Sequence, residues 1–284
     1  DRSTLFFNNC YLVYCLQLAS KIGRVVGDNA QADVFATRAK ELAARLHARF
    51  LNPDGATYVN GEQTYLVMPL LFGITPPDAA PRVLAALEHD IKVTRQGHLN
   101  TGMHGNYFMA KYLIDQRRND LLALMHTQED FPSFCYMIRN GATTIWEEWD
   151  GDNSQIHNTM ISVGLWFIEG LGGIRYDERA PGFQHFFAAP GVESGLKRVE
   201  ASLTTGYGRI ASSWRVEGHT LSWDLTVPPN TTATVVLPAQ GLDAVRESGQ
   251  PVERQAGIVP GTFEKGLFRA EVASGTYRFT SRLP

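Results

Sequence analysis

The chain has 284 residues, of which 44% are hydrophobic and 19% are charged, and its formal net charge is -3 at pH 7. This length fits one large domain or two ordinary ones and is sufficient to bury a core. The charge balance argues against the basic stripe that binds nucleic acid or an anionic membrane surface, and no apolar run is long enough to cross a bilayer. We therefore expect neither a nucleic-acid partner nor a membrane partner.

The chain begins with Asp1 rather than Met, and a helical pattern follows at once. No basic stretch followed by an apolar one resembles a signal peptide, but this absence carries no weight if the true beginning lies upstream. The sequence Asn230-Thr231-Thr232 fits a glycosylation acceptor, a pattern too common to decide the compartment. Localisation therefore stays open between the periplasm, the outside of the cell and the cytoplasm.

Apolar residues recur at helical spacing in the first 175 residues. The pattern predicts helices joined by short turns that carry Asn-Pro-Asp-Gly, Pro-Pro or Gly-rich stops. The main predicted helical segments are 5–26, 30–50, 65–72, 79–91, 107–114 and 154–171. Helical hairpins in series are typical of an α/α toroid, in which loops at one end of the inner helices build a pocket.

After Arg179 the apolar residues alternate with a period of two. The alternating segments are RVEASLTT, GRIASSWRV, HTLSWDLTV, TATVVL, LFRAEV and TYRFT. They predict six or more antiparallel strands of a β-sandwich, in which Trp214 and Trp223 take core positions by default. We therefore expect an α+β multidomain chain, with an α/α toroid over 1–175 and an antiparallel β-sandwich over 176–284.

The sequence gives little sign of a metal or cofactor site. Cys10, Cys15 and Cys135 lack metal-type spacing and are predicted to be small core residues. His98 and His104 are the nearest approach to a histidine cluster, but no third ligand is suggested, so we predict no metal site. No Walker loop, GxGxxG or GxSxG motif is present, and we expect no cofactor.

The most informative segment is GATTIWEEWDG, residues 141–151, in which Glu147 and Glu148 stand between Trp146 and Trp149. Aromatic faces pack on the apolar side of a sugar ring, and a carboxylate can take the proton of an attacking water. The pattern therefore indicates a carbohydrate-active enzyme. The alternative is that the two indoles, three residues apart, form one core-facing edge while the acids are solvated.

This segment resembles the GATT-x-WExW signature of the inverting α-L-rhamnosidases of glycoside hydrolase family 78. Three other stretches resemble the same family in the same order: LNTGMHGNYFMAKYL before the signature, SQIHNTMISVGLWFIEGLGGI after it, and TTGYGRIASSWRVEGHTLSWDLTVPPNTTATVVLP in the sandwich. The resemblance implies hydrolysis of a terminal α-L-rhamnosyl group of a rhamnoside, with inversion and without a cofactor.

The resemblance implies that Glu147, the first acid of the WExW pattern, is the general base. An inverting glycosidase also needs an opposed carboxylic acid about 6.5–9.5 Å away, so that a water fits between. Glu148 occupies the variable place of the motif and is either a substrate contact or a solvated acid. His157 matches a histidine that would bond the rhamnose hydroxyls, whereas without the resemblance it would be a core or capping residue.

Other residues are candidates for the walls of the sugar pocket. Trp149 is expected to pack on the apolar patch of rhamnose, and Trp146 is a weaker candidate because a core position suits it better. His104 and Asn106 either reach the pocket or satisfy backbone groups of their loop.

Gln63 and Thr64 match a recurrent Gln-Thr pair of the family, and we expect them to position helices. The resemblance also implies that the general acid lies upstream of this chain. About eight helices are predicted where a ring of six hairpins needs twelve, and an incomplete ring would expose an apolar face. We therefore expect the missing segment to come from the upstream part of the same polypeptide or from a second copy of the chain.

Without that segment the chain should be a poor catalyst. The nearby acids that could replace the general acid are Asp130, Asp150 and Asp152. Two other functions stay open: another glycosidase or a lyase on the same α/α scaffold, and a non-catalytic carbohydrate-binding or assembly fragment. The sequence does not indicate the group to which the rhamnose is attached.

Overall fold

The structure is a computed structural model that describes residues 1–158, 162–252 and 255–284. The chain divides into two compact units, the first formed by Asp1–Leu113 with Leu124–Ser162 and the second by Ile114–Ala123 with Val163–Pro284. The domain boundary expected near residue 175 stays a prediction. Among the helices that are described, none is long and apolar enough to span a bilayer.

The helices follow one another over the first 171 residues. They are α1 (Arg2–Val26), α2 (Asn29–Phe50), α3 (Gln63–Leu71), α4 (Ala80–His89), α5 (Met103–Asp115), α6 (Asn119–His126), α7 (Phe134–Arg139) and α8 (Ser162–Leu165). Two π-helical turns continue α4 and α8, at Asp90–Thr94 and Trp166–Leu171. The predicted segments therefore coincide with α1 to α5, whereas α6 and α7 are additional short helices.

Helices α1 and α2 form a hairpin with a sharply defined turn. Gly27 ends α1 in the left-handed conformation (φ 86°), and the side chain of Asp28 accepts a hydrogen bond from Gln31 N at the start of α2. The helices approach closely where Gly23 faces Ala32, since a Cβ at Gly23 would lie 3.0 Å from the Ala32 Cβ. The turn chemistry visible in the sequence thus produces the predicted hairpin.

Aromatic side chains fill the core beside this hairpin. Phe6 stacks on Tyr58 with 5.2 Å between ring centroids and lies 5.0 Å from the ring of Phe50. The buried hydroxyl of Tyr58 lies 2.7 Å from His47 Nδ1 and 3.0 Å from Thr75 Oγ1, so its polar end is satisfied. Burial raises the pKa of Tyr58 to about 12.

Helix α1 carries several exposed large apolar side chains. They are Leu5, Leu12, Leu18, Ile22, Val25 and Val26. Apolar surface of this extent usually marks a contact with other protein. Such exposure is expected for an incomplete helical ring. That the upstream part of the polypeptide or a second copy of the chain covers these side chains stays a prediction.

The helix predicted over 154–171 begins later than expected. The stretch 152–158 is irregular and α8 starts after it. Backbone groups of this stretch bond across a loop, for example His157 N to Ile145 O at 2.9 Å, and are therefore not free for helical bonds. Residues 159–161 of the predicted helix lie outside the described residues.

The second unit contains two sheets. Their strands are β1 (Ile174–Tyr176), β2 (His185–Ala188), β3 (Arg198–Thr205), β4 (Gly208–Glu217), β5 (Thr220–Val227), β6 (Thr232–Pro238), β7 (Val245–Glu247), β8 (Gln250–Pro251), β9 (Ile258–Glu264), β10 (Leu267–Val272) and β11 (Gly275–Arg282). The strand orders are β1-β2-β6-β10-β9 and β3-β4-β5-β11-β7-β8. Every described pair is antiparallel except β2 with β6, which run parallel.

Both sheets contribute to one hydrophobic core, as the sandwich prediction requires. Phe186 and Phe268 from the first sheet share this core with Trp214, Trp223 and Phe279 from the second. Each buried indole has a partner, because Trp214 Nε1 donates to Leu171 O at 2.7 Å and Trp223 Nε1 donates to Ser212 Oγ at 2.9 Å. The core role predicted for both tryptophans is therefore confirmed.

The cysteine prediction holds only in part. Cys10 is buried between helices, and this burial raises the pKa of its thiol far above the ordinary range. Cys15 is exposed and Cys135 is half-buried, so the core position predicted for Cys15 is wrong. Five residues separate Cys10 from Cys15 on α1, which places their side chains on different faces of the helix.

Candidate active site

The candidate site centres on the loop between α7 and α8. Its two sides run antiparallel: Glu147 N donates to Ser154 O at 2.8 Å, and His157 N donates to Ile145 O at 2.9 Å. These bonds fix the segment of residues 144–157 although the whole segment lies outside helices and strands. The carboxylates of the sequence motif are therefore presented from a loop whose backbone is hydrogen-bonded to itself.

Glu147 is the half-buried acid of this loop. Its Oε2 accepts a hydrogen bond from Ser154 N at 3.2 Å, so the carboxylate is oriented by the opposite side of the loop. It lines a cavity of about 410 Å³ together with Glu148, Trp149 and Asp150. The far wall of the cavity consists of Thr101, Gly102, Met103 and Phe131.

The two indoles of the motif have different surroundings. Trp149 lines the cavity, its Nε1 donates to Thr101 O at 3.3 Å, and its ring stands edge-on to Phe134 at 5.1 Å. Trp146 is buried and does not line this cavity. A Cβ at Gly151 would lie 2.8 Å from the Trp146 ring, so Trp146 supports the turn of the loop from beneath.

The remaining acids of the motif are exposed. Glu148 Oε1 accepts from Asn153 Nδ2 at 2.7 Å, and Asp150 Oδ1 accepts from Asp152 N at 3.1 Å. Both interactions are local to the turn. Glu148 and Asp150 line the cavity, whereas Asp152 does not.

A second cavity, of about 560 Å³, adjoins the first. The two share Thr101, Gly102, Met103, Phe131 and Trp149. The second cavity adds the polar side chains of Glu62, Thr64, Asn100 and His104. We call the first the Glu147 cavity and the second the Glu62 cavity.

Glu62 and Phe131 are site residues that the sequence reasoning missed. Phe131 is 52% exposed, and Glu62 is half-buried at the start of α3. Neither belongs to a recognisable local motif. In the sequence, Glu62 is marked only by its position directly before the Gln-Thr pair. That this pair lies beside the site is visible only in the structure.

Gln63 holds the segment that forms the shared wall. The side chain is fully buried; its Nε2 donates to His98 O at 3.0 Å, and its Oε1 accepts from Asn100 N at 2.8 Å. The residue after Asn100 is Thr101, whose carbonyl accepts a hydrogen bond from Trp149 Nε1. Gln63 thus positions the wall without lining either cavity.

His104 lines the Glu62 cavity at the start of α5. Its ring stands edge-on to Phe7 and Tyr11, with centroid distances of 5.9 and 5.5 Å. Asn106 lines neither cavity; it is 1% exposed, and neither polar atom of its amide has a partner among the described residues. His157 is half-buried and also lies outside the lining of both cavities.

The geometry thus brings Glu147, Glu148 and Trp149 together, with His104 in the adjoining cavity. The substrate-binding roles expected for Trp146 and His157 stay predictions without a place in either lining. In the described ranges, no group of three or more His, Cys, Asp or Glu side chains is arranged to hold a metal ion.

Asp130 is engaged outside the two cavities. His98 Nε2 lies 2.8 Å from Asp130 Oδ1, and this hydrogen bond lowers the pKa of Asp130. A general acid needs a pKa raised toward the working pH, so this shift is in the wrong direction. Asp130 is therefore a poor candidate for a general acid.

Comparison with protein families gives two adjoining matches. The family described as bacterial alpha-L-rhamnosidase 6 hairpin glycosidase domain matches residues 2–171. The family described as bacterial alpha-L-rhamnosidase C-terminal domain matches residues 173–251.

Curated relatives carry the same description. An alpha-L-rhamnosidase of Formosa agariphila is 30% identical over 253 residues, covering 85% of this chain and 26% of that protein. An alpha-L-rhamnosidase of Alteromonas sp. is 27% identical over 294 residues, covering 97% of this chain and 31% of that protein. The chain therefore spans between a quarter and a third of the length of these relatives.

Solved structures agree in fold. The alpha-L-rhamnosidase from Dictyoglumus thermophilum superposes with a TM-score of 0.84 at 25% identity, over 96% of this chain and 31% of that one. The Streptomyces avermitilis alpha-L-rhamnosidase complexed with L-rhamnose superposes with a TM-score of 0.86 at 24% identity. The superposition covers 96% of this chain and 26% of that one. The architecture of helical hairpins followed by a β-sandwich is that of these structures.

Proposed function

This chain belongs to the bacterial α-L-rhamnosidase family, and on that premise we propose that it supplies the general base of an inverting α-L-rhamnosidase. The observation that carries the proposal is the half-buried Glu147 carboxylate, anchored through Oε2 and facing a cavity walled by Trp149. Carboxylate and indole together suit a sugar ring with one apolar face.

The base acts on a water in the Glu147 cavity. Oε2 is held by Ser154 N, so Oε1 is the oxygen that accepts the proton of the water. The water oxygen then attacks the anomeric carbon as the glycosidic bond breaks on the opposite face of the sugar. The configuration at that carbon inverts, and the product is free L-rhamnose.

The leaving oxygen takes its proton from an opposed acid, which we place upstream of this chain. The acid must stand about 6.5–9.5 Å from Glu147 to admit the water. The substrate class follows from the relatives, which are described as alpha-L-rhamnosidases, and from the L-rhamnose complex of the Streptomyces avermitilis enzyme. We therefore propose terminal α-L-rhamnosides as substrates.

The test is hydrolysis of an aryl α-L-rhamnoside by this chain and by a polypeptide that also contains the upstream region. An aryl leaving group needs little protonation, so loss of the acid is partly masked while loss of the base is not. Proton NMR during the first turnovers identifies the anomer released. We expect turnover with the upstream region present and β-L-rhamnose as the first product; release of the α anomer would refute the inverting mechanism.

A second candidate is a non-catalytic carbohydrate-binding fragment. This function is favoured because the chain spans only 26% and 31% of the length of the two relatives. This function predicts that L-rhamnose binding survives Glu147→Gln while no polypeptide containing the chain ever turns over. The assay of the extended polypeptide separates the two functions.

A further inference from the structure

His98 joins two segments that meet beside the candidate site. Its ring Nδ1 lies 2.9 Å from Arg95 O, within its own turn, and its ring Nε2 lies 2.8 Å from Asp130 Oδ1, on the loop before α7. The side chain of His98 is 16% exposed, whereas that of Asp130 is 78% exposed. The imidazole therefore bridges the turn at 95–98 to an exposed loop.

The turn at 95–98 is the fixed side of this bridge. His98 N donates to Arg95 O at 2.9 Å, and His98 O accepts from Gln63 Nε2 at 3.0 Å. The turn also packs closely, since a Cβ added at Gly97 would lie 3.1 Å from Leu124 Cδ1. The exposed loop is therefore the side that the bridge can hold in place.

The exposed loop carries Phe131, which directly follows Asp130. Phe131 is 52% exposed and lines both the Glu147 cavity and the Glu62 cavity. Its ring stands edge-on to Tyr136, with 5.3 Å between centroids. An exposed side chain has few packing contacts that restrain it, so its place depends on its backbone. A bond to the side chain of Asp130 therefore helps to place the wall that Phe131 forms.

The two partners of His98 fix the protonation state of its ring. A carbonyl oxygen and an ionised carboxylate can only accept, so each ring nitrogen that faces them must donate. A neutral imidazole has one N–H, and both bonds therefore form together only when the ring carries two protons. Asp130 does not supply the second proton, because the hydrogen bond with His98 lowers the pKa of Asp130 and keeps its carboxyl group ionised.

The charges around the bridge favour the doubly protonated ring. Arg95 Nε lies 3.9 Å from Asp90 Oδ1, and Arg139 pairs with Glu129, so each arginine is matched by an acid. Asp130 is matched by His98, and the charge of Arg139 adds to the same effect on Asp130. The neighbouring helices α3 and α6 contribute the neutral side chains of Gln63 and Leu124. The charged groups described around the bridge are Asp90, Arg95, Glu129, Asp130 and Arg139.

We propose that His98 is a positioning residue that holds the Phe131 wall in place while its ring carries both protons. Loss of one proton leaves a bare nitrogen opposite an acceptor oxygen, so the bridge opens at that end as the pH rises. The inference rests on the proposed function, because Phe131 borders the cavity in which the base acts. His98 itself neither gives nor takes the reacting proton.

The kinetic test uses Asp130→Asn in the polypeptide that contains the upstream region, with an aryl α-L-rhamnoside as substrate. The amide introduced by Asp130→Asn can donate to the bare Nε2 of a neutral His98, so the bridge closes without the second proton. Titrations of the base and of the acid are common to parent and variant and cancel in the ratio of their KM values. We expect the ratio of the parent KM to the variant KM to rise about fivefold between about pH 6 and about pH 8.

The effect should fall on KM rather than on kcat, because Phe131 does not touch the reacting atoms. Glu129→Gln removes an exposed ion pair of the same loop and should follow the parent at both pH values. A KM ratio that does not change with pH would overturn the inference, even if hydrolysis itself is normal. Retention of the thermal unfolding midpoint shows that Asp130→Asn is folded.

NMR of the ring nitrogens needs no turnover and decides the question if the substrate is not cleaved, a result that would count against the proposed function alone. The chain is labelled with 15N in its histidine rings, and the His98 signals are assigned with His98→Asn. At about pH 7 the doubly protonated fraction of His98 should be larger in the parent than in Asp130→Asn. Equal fractions, or a parent ring that already has a bare nitrogen at about pH 6, would refute the inference.

The order of the wall is measured in the same way. With para-fluorophenylalanine incorporated, fluorine relaxation reports the mobility of the Phe131 ring, and its signal is assigned with Phe131→Leu. At about pH 8 this ring should be more mobile in the parent than in Asp130→Asn, because only the variant keeps the bridge closed. Equal mobility in the two proteins would show that His98 does not hold Phe131.

Discussion

Glu147 and Ser154 are joined by two hydrogen bonds, one from Glu147 N to Ser154 O at 2.8 Å and one from Ser154 N to Glu147 Oε2 at 3.2 Å. The first fixes the backbone of the acid and the second fixes its carboxylate. A base held in this way loses little freedom when substrate binds, and such positioning is a major source of catalytic rate. Among the described residues, the carboxylate of the neighbouring acid, Glu148, accepts a hydrogen bond from the side chain of Asn153 alone.

Replacement of Glu147 and Glu148 should therefore have unequal effects. Glu147→Gln keeps the shape of the side chain but removes the basic oxygen, and we expect kcat to fall at least about a hundredfold on an aryl α-L-rhamnoside. Glu148→Gln is the matched control and should retain activity within about threefold. The assay uses the polypeptide with the upstream region, and equal losses in the two variants would contradict the assignment of the base.

Gly151 is required by the packing of the loop. Its φ is 86°, and an added Cβ would lie 2.8 Å from the ring of Trp146. Gly141 has a similar φ of 88° but no atom within 4 Å of an added Cβ. We expect Gly141→Ala to cost about 1 kcal/mol from backbone strain, and Gly151→Ala to cost about 2–3 kcal/mol from strain and clash together. Urea unfolding measures both, and equal costs would show that contact with Trp146 is unimportant.

Gln63 should control the order of the shared wall. Gln63→Leu removes the donor to His98 O and the acceptor from Asn100 N, so we expect a loss of about 2 kcal/mol and faster hydrogen exchange of the amides at 98–101. Gln17→Leu is the control, because Gln17 Nε2 donates to Phe72 O, at 2.8 Å, on a different segment. Unchanged exchange at 98–101 in Gln63→Leu would remove the positioning role.

His126 should make stability depend on pH. Burial lowers the pKa of His126 from 6.5 to about 4 in the folded protein. Between these values the unfolded chain binds a proton that the folded chain does not, so the free energy of unfolding falls as the pH is lowered. The expected loss between pH 7.5 and pH 5 is about 2 kcal/mol.

Urea unfolding at these two pH values tests the role of His126. In His126→Leu the pH dependence should shrink by about the same 2 kcal/mol, whereas replacement of the exposed His219 should leave it unchanged. The prediction fails if His126→Leu unfolds with the pH dependence of the parent. The ring of His126 lies 5.4 Å from that of Phe134, which contacts Trp149. We therefore expect protonation of His126 to destabilise the candidate site as well.

The sequence predicts those features that depend on local pattern. Helices α1 and α2 follow from apolar spacing and from the Gly27-Asp28 turn, and strands such as β3 coincide with an alternating segment. The direction of a neighbouring strand is not encoded in a period-two pattern, which is why the parallel pairing of β2 with β6 was not expected. The irregular stretch 152–158 was missed because its backbone partners lie across the loop rather than along the chain.

The same reasoning applies to the candidate site. Glu147 and Trp149 are two residues apart in one motif and could be grouped from the sequence alone. Glu62 lines only the Glu62 cavity and Phe131 lines both cavities; both come from segments distant in the sequence, and only tertiary packing brings them to the site. Family resemblance suggested a role for Gln63, but the two hydrogen bonds that define it are visible only in the structure.

Strand β2 pairs with β6, and the intervening strands β3, β4 and β5 belong to the other sheet. The first sheet can therefore assemble only after the chain has passed through these three strands. Contacts between such distant segments form late, because the entropy of a long loop must be lost before any bond is gained. The sandwich should therefore fold as one cooperative step that is slow beside the local pairing of α1 with α2. A ribosome releasing this protein would complete the helical hairpin well before the first sheet, which needs β9 and β10 from near the end of the chain.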